Sequence, residues 1–217
     1  MDAFRQQFLT FCVERNILRF GDFITKAGRA SPYFFNAGLV NDGAALAALA
    51  QFYVKAIESA GLEFDMLFGP AYKGIPLASA IAMTYAAQGR TLAFAFNRKE
   101  AKQHGEGGKL IGAPLRGKVL IVDDVISAGT SVRESVELIR EAGATPCGVA
   151  IALDRCERGQ AALSATQEVT RDYGMPVLSV AKLDDLIEYL AHDPALRTYR
   201  TAIDAYRSEY GVEVEHD

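Results

Sequence analysis

Thirteen residues, Val119 to Ser131, set out an apolar run, two acids, a glycine and three hydroxyls in the order VLIVDDVISAGTS. Adjacent carboxylates at Asp123 and Asp124 can accept hydrogen bonds from the two hydroxyls of a ribose, and their charge can stabilise positive charge growing at a sugar carbon. Ser127, Ala128, Gly129, Thr130 and Ser131 follow at the expected start of a helix. Backbone amides unpaired at a helix N-terminus, with hydroxyls beside them and a glycine that permits close approach, form an anion site suited to a monophosphate. A lone Asp-Asp or Ser-x-Gly reads as an ordinary capped loop with solvated acids. The ordered combination after a buried strand points instead to a cradle for a phosphorylated ribose.

A second group of residues is cationic. Tyr72 and Lys73 follow the Gly69-Pro70 break, where a backbone loop and an ammonium could grip a diphosphate. Arg98, Lys99, Lys102 and His104 stand at close spacing in an otherwise acidic chain of net charge -4. Such a cluster can stabilise a departing polyanion more in the transition state than in the ground state. The overall charge argues against a general nucleic-acid binder, which carries a basic face. Two rival phosphate motifs fail: Gly107-Gly108-Lys109 is followed by Leu110 and lacks P-loop spacing, and no G-x-G-x-x-G joins a strand to a helix.

The elements that must position these groups alternate along the chain. Apolar strands are expected at Met66 to Phe68, Leu92 to Phe96, Val119 to Val122, Pro146 to Leu153 and Pro176 to Val180. Helices are expected from a face including Leu49, Tyr53 and Ile57, from about Gly74 to Gln88, Thr130 to Ala142 and Gln160 to Tyr173, and at the C-terminus. This alternation implies an α/β fold, a mainly parallel sheet with helices on both faces and ligands beyond the carboxyl ends of its strands. Leu18 to Thr25 and Tyr33 to Ala37 read as a small antiparallel element beside it. Residues 97 to 117 hold five glycines, many charges and little apolar periodicity, and read as a long loop of the lid or binding kind.

At 217 residues, half of them hydrophobic, one domain is expected. Cys12, Cys147 and Cys156 lack metal or redox spacing, so reduced thiols in the cytoplasm are expected. Phe4, Phe8, Leu9 and Phe11 among charged residues suit an amphipathic helix better than a signal peptide, and no apolar run approaches membrane length.

The segment VLIVDDVISAGTS resembles the phosphoribosyl-diphosphate (PRPP) motif of type I phosphoribosyltransferases. KAGRASPYFFNAG at 26–38, GPAYKGIPLA at 69–78, NRKEAKQHGEGG at 97–108 and LDRCERG at 153–159 are similar, in the same order, to the orotate phosphoribosyltransferase family. The resemblance implies a five-stranded parallel core with a small hood, and transfer of phosphoribosyl from PRPP to orotate with magnesium. It implies a homodimer whose mobile loop reaches into the neighbouring site, and neither nucleic acid nor membrane as partner. The whole of residues 1–217 would be one domain, with the hood mainly from residues 1–40 and the catalytic loop at about 97–113.

Carried over residue by residue, the resemblance implies PRPP contacts at Lys26, Tyr72, Lys73, Arg98, Lys99, Lys102 and His104 and along Asp123, Asp124, Val125, Ile126, Ser127, Ala128, Gly129, Thr130 and Ser131. Lys102, His104, Asp123 and Asp124 would be catalytic. Lys99 would act within its own subunit, and Arg98, Lys102 and His104 across the dimer. Orotate would meet Phe34, Phe35, Ser127 and Arg155, whose fork matches a carboxylate with two parallel hydrogen bonds. Ser127 stands where many relatives have threonine and keeps the hydroxyl. Magnesium would be held mainly by PRPP and water, with no dedicated protein cage. Competing readings are a purine-specific relative and a PRPP-sensing regulator that binds nucleic acid; RASPYFFN, LDRCERG and the retained loop cations favour the orotate enzyme.

Overall fold

In the computed structural model, residues 1–25, 28–102, 108–127, 129–159 and 162–212 are described, with residues 101, 102 and 108 as backbone alone. The N-terminal helix α1 (Ala3–Glu14) is capped by Asp2, whose carboxylate accepts from the Arg5 amide. A hairpin of β1 (Leu18–Ile24) and β2 (Ala30–Phe35) follows, antiparallel and bulged between Phe20 and Phe23. β2 ends at Phe35 and not at Ala37, because Asn36 turns to cap the short 3-10 segment Ala37–Leu39. Next come α2 (Gly43–Ser59), β3 (Met66–Gly69), α3 (Gly74–Ala87), β4 (Ala93–Lys102), β5 (Gly108–Gly112), β6 (Lys118–Val122), α4 (Thr130–Glu141), β7 (Thr145–Asp154), α5 (Ala165–Tyr173), β8 (Val177–Lys182), α6 (Leu183–His192) and α7 (Arg197–Tyr210).

The main sheet runs β5-β4-β3-β6-β7-β8. Its five strands β4, β3, β6, β7 and β8 are mutually parallel, as the alternation of elements requires. A sixth, β5, adds antiparallel to β4 and pairs Asn97 with Leu110 and Phe96 with Ile111. The stretch read as a long loop is therefore largely a hairpin arm at the sheet edge, with residues 103–107 outside the described part. Gly112, at φ +103°, makes this pairing possible: a Cβ there would stand 2.5 Å from the Phe94 carbonyl oxygen.

Side chains alternate across each strand, so the sheet feeds two cores. Leu67, Leu120, Val122, Ala150 and Ala152 pack under α1, α2, α3 and α6. Met66, Phe68, Val119, Ile121, Val149 and Ile151 pack with Val132, Val136 and Ile139 of α4 and Val169 of α5. α5 begins at Ala165, later than the apolar pattern indicates. Ser164 and Gln167 cap it reciprocally, each side chain bonding the other's backbone amide, and this fixes the start. α7 closes over the β1–β2 hairpin, Tyr206 meeting Tyr33 edge-on and Tyr199 stacking on Phe20. The hairpin is thus backed by the C-terminal helix, a long-range pairing that local periodicity does not carry.

Two glycines set the β3–α3 turn. A Cβ on Gly69 would lie 2.1 Å from the Gly74 carbonyl oxygen, and one on Gly74 would lie 2.7 Å from that of Val122. The turn carrying Tyr72 and Lys73 is thereby pressed against the end of β6. Among the described residues no helix is long and apolar enough to cross a membrane.

Candidate active site

β6 delivers Asp123 and Asp124 at its carboxyl end, and β7 continues to hold them. The Asp123 amide donates to the Ala150 carbonyl, and the Ala152 amide donates to the Asp124 carbonyl. From α2, the buried Tyr53 hydroxyl donates to the Asp123 carbonyl at 2.7 Å. The diacid is therefore fixed through its backbone by three hydrogen bonds to two elements besides its own strand, β7 and α2. Both acids are buried, at 8% and 5% exposure. The Asp124 amide donates to Asp123 Oδ1 at 2.9 Å, and Lys73 Nζ donates to Asp124 Oδ2 at 2.6 Å.

Burial and the neighbouring Asp124 charge push the Asp123 carboxyl up to about 6, although hydrogen bonds from the Asp124 amide and the Ser131 side chain favour its charged form. If ionised Asp123 is needed for turnover, kcat/KM for PRPP will fall as pH drops through about 6. A pH series of initial rates checks this; a flat profile from pH 7 to 5 would show that Asp123 need not be ionised. The sign for stability is opposite. A carboxyl whose folded value is raised makes the folded state lose stability as pH rises from its ordinary value toward about 6.

Gly129, at φ +69°, occupies the N-cap of α4 in the left-handed region, where it provides no side-chain cap. The first amides of α4 thus open toward an anion. In front of them lies a cavity of about 660 Å³. Asp123, Val125, Ile126, Ser127, Gly129, Thr130 and Ser131 form one side, and Arg98 and Lys99 of β4 face them with Lys109 of β5. Glu134, Glu137 and Glu141 of α4 border its outer end. Lys99 Nζ lies 5.0 Å from the Tyr72 ring centre, and the Ala71 amide donates to Asn97 Oδ1 at 2.8 Å. These contacts tie the β3–α3 turn to the cationic arm. The Ala71–Tyr72 peptide is cis.

A buried diacid, a helix start open to an anion and a facing cationic arm make a site for a phosphorylated sugar with an anionic leaving group. Residues 38–170 match the phosphoribosyl transferase domain. Over 212 residues the chain is 66% identical to orotate phosphoribosyltransferase of Laribacter hongkongensis, covering 98% of this chain and 100% of that protein. It is 63% identical over 213 residues to the orotate phosphoribosyltransferase of Chromobacterium violaceum, again 98% and 100% of the two chains. The crystal structure of the Francisella tularensis orotate phosphoribosyltransferase superposes with a TM-score of 0.85 at 40% identity, over 94% of this chain and 99% of that one. The chain belongs to the orotate phosphoribosyltransferase family. It transfers the phosphoribosyl group of PRPP to orotate, giving orotidine 5'-monophosphate and diphosphate in pyrimidine biosynthesis.

For an orotate phosphoribosyltransferase the cavity gathers most of the PRPP residues expected from sequence, with Tyr72, Lys73 and Asp124 joined to it by the contacts above. Arg98, expected to serve the neighbouring subunit, also lines the cavity of its own chain. Lys26, His104 and Ala128 lie outside the described residues, and Lys102 is described as backbone only, opposite Gly108.

Phe34, Phe35 and Arg155, expected from the sequence to meet the base, do not line this cavity. Phe34 is half-buried and stacks on Phe23 with centroids 5.5 Å apart, while Arg19 covers both rings. Phe35 points into the core at 8% exposure, so its backbone is the part left to meet a ligand. Arg155 follows the end of β7, the strand next to β6, and bonds Glu157, Ser31 and Tyr206. Sequence reasoning missed Tyr53, Asn97, Lys109 and Glu157. Asn97 and Glu157 both fall within motifs quoted above, Glu157 two residues after Arg155, and were within reach; Tyr53 and Lys109 depend on chain crossings that spacing does not reveal.

Proposed function

We propose that one chain supplies the PRPP cradle and that the cationic arm drives diphosphate away. The observation that carries this reading is the single cavity in which Asp123 and the Ser127–Ser131 turn stand opposite Arg98 and Lys99. Asp123 and Asp124 accept from the ribose hydroxyls. Ser127, Gly129, Thr130 and Ser131 hold the 5'-phosphate, with Val125, Ile126 and Ala128 completing the PRPP-binding run. Lys26, Tyr72, Lys73 and Lys99 bind the diphosphate within the subunit. Arg98, Lys102 and His104 serve the neighbour's site in a homodimer, Arg98 from a position that also borders its own. The base stacks at Phe34 and the Phe35 backbone, with Arg155 on its carboxylate and Ser127 at its edge.

The reaction in this reading is direct displacement. The orotate ring nitrogen forms its bond to the anomeric carbon as the carbon–oxygen bond to diphosphate breaks, with those electrons leaving on the diphosphate and the ring N–H proton passing to diphosphate or water. The two acids stabilise the positive sugar carbon, and the arm cations stabilise the growing negative charge. Closure of the arm at about 97–113 over the hood of residues 1–40 excludes water, which would otherwise hydrolyse the sugar.

Magnesium fits this site as an ion carried by the substrate. A carboxylate has about four acceptor positions, and Lys73 engages only one oxygen of Asp124. Asp123 and Asp124 can therefore meet a hydrated ion through water. When bound, magnesium neutralises diphosphate charge. Reduced cysteines fit a cytoplasmic setting; Cys12, Cys147 and Cys156 are all free.

The test is the configuration of the product. Inversion, giving the β-linked nucleotide from α-configured PRPP, is expected, with turnover lost to a chelator and restored by magnesium. Retention of configuration, or isolation of a ribosyl-enzyme adduct, would overturn displacement.

A further inference from the structure

Arg155 already holds a carboxylate. Its Nε donates to Glu157 Oε1 at 2.7 Å, and one terminal nitrogen forms an ion pair with the same oxygen at 2.6 Å. The same terminal nitrogen reaches Ser31 Oγ of β2 at 3.1 Å and the Tyr206 hydroxyl of α7 at 3.4 Å. The guanidinium carbon lies 4.2 Å from the Tyr33 ring centre. Gripping a substrate carboxylate with two parallel hydrogen bonds takes a two-nitrogen edge of the guanidinium. One such edge is filled by this chain's own acid, and the shared nitrogen of the other is committed to Ser31 and Tyr206.

The second oxygen of Glu157 faces another guanidinium. Oε2 stands 3.8 Å from a terminal nitrogen of Arg29, at the outer limit of an ion pair. Arg29 covers the Tyr210 ring at 4.9 Å. The side chains of Arg29, Arg155 and Glu157 are 23%, 17% and 17% exposed. Two guanidiniums therefore share one carboxylate in a part-buried place, and one positive charge is left over. An incoming carboxylate would balance it.

The backbone beneath Glu157 is pinned, which confines any rearrangement to side chains. The Arg158 amide donates to the Tyr210 carbonyl at 2.8 Å, and the Val212 amide donates to the Cys156 carbonyl at 2.9 Å. Glu157 itself bridges to Gly211.

We propose that Glu157 is a built-in competitor for the carboxylate of the pyrimidine: it occupies Arg155 in the free enzyme and passes to Arg29 when orotate or its nucleotide arrives. This rests on the reading in which Arg155 grips that carboxylate. Arg29 is the acceptor that keeps the displaced acid from being stranded unpaired in a part-buried site. The two residues then act in opposite directions on affinity. Glu157 weakens binding of carboxylate-bearing ligands, and Arg29 strengthens it.

Direct titration with orotidine 5'-monophosphate and with uridine 5'-monophosphate, which lacks the carboxylate, separates these effects from general damage. In Glu157→Gln the Kd for orotidine 5'-monophosphate is expected to fall about tenfold, the scale of one charge-assisted hydrogen bond, with that for uridine 5'-monophosphate unchanged. In Arg29→Gln the former is expected to rise by about as much, again without change in the latter. Equal weakening of both nucleotides would mark lost packing and overturn the proposal. So would a preference for the carboxylate nucleotide that fails to rise in Glu157→Gln or fails to drop in Arg29→Gln. Arg155→Gln tests the underlying reading: if the preference survives there, the base site is misassigned. If it collapses there while Glu157→Gln gains nothing, only the competitor is discarded. Should Glu157→Gln not fold, Arg29→Gln decides alone.

Discussion

Asp124→Asn is expected to lower kcat by about 10²- to 10³-fold, the cost of removing one group aimed at charge that develops in the transition state. Asparagine keeps the size and planar shape of the side chain, and the backbone tie from the Ala152 amide to the Asp124 carbonyl survives the change. The fold should therefore persist. What disappears is negative charge at a site 5% exposed, where water screens little. Lys73 loses its partner at 2.6 Å, but its own side chain is 48% exposed and can turn to water. The loss should thus appear in kcat more than in folding. Steady-state rates with orotate, beside a thermal melt, check both parts. A kcat within threefold of wild type would remove Asp124 from the chemistry.

Lys102→Ala is expected to cost about 10²-fold in kcat through the other half of the same transition state, the charge on departing diphosphate. Its backbone stands at the end of β4, opposite Gly108 of β5, on the arm that carries Arg98 and Lys99 past the cavity. In the proposed dimer, Lys102 serves the neighbour, and this makes a sharper prediction. Mixing Asp124→Asn with Lys102→Ala should restore about a quarter of wild-type activity, because half of the randomly paired dimers are hybrid and each hybrid has one intact site of two. No recovery on exchange of subunits would place Lys102 in its own subunit's site. Near wild-type kcat in Lys102→Ala alone would remove it from the mechanism.

The parts legible in sequence were those written in consecutive residues. Val119 to Val122 is a buried strand, the diacid emerges at its end, and Gly129 opens α4 at Thr130, all within one short window. The parallel order of strands followed from their alternation with helices, since that connectivity leaves few other arrangements. The arm was misread as loop because Asn97 to Lys102 has no apolar alternation; its strand character comes from pairing with residues 108–112 at an open edge, and that pairing depends on Gly112. The contacts that fix the site are longer in range still. Lys73 and Asp124 are 51 residues apart, Tyr53 and Asp123 are 70 apart, and Arg155 reaches Ser31 across 124. Such pairs are chosen by chain topology. Each partner taken alone looks like an ordinary surface lysine, core tyrosine or loop arginine.

The central claim is that the Asp123 to Ser131 cradle presents phosphoribosyl to orotate and to no other base. Its most direct test is the fall in orotate absorbance with PRPP and magnesium, run beside adenine, hypoxanthine and uracil. Orotate should be consumed one for one with diphosphate release, and the other three bases should give no nucleotide. Absence of orotate turnover, or turnover of a purine at a comparable rate, would contradict the account.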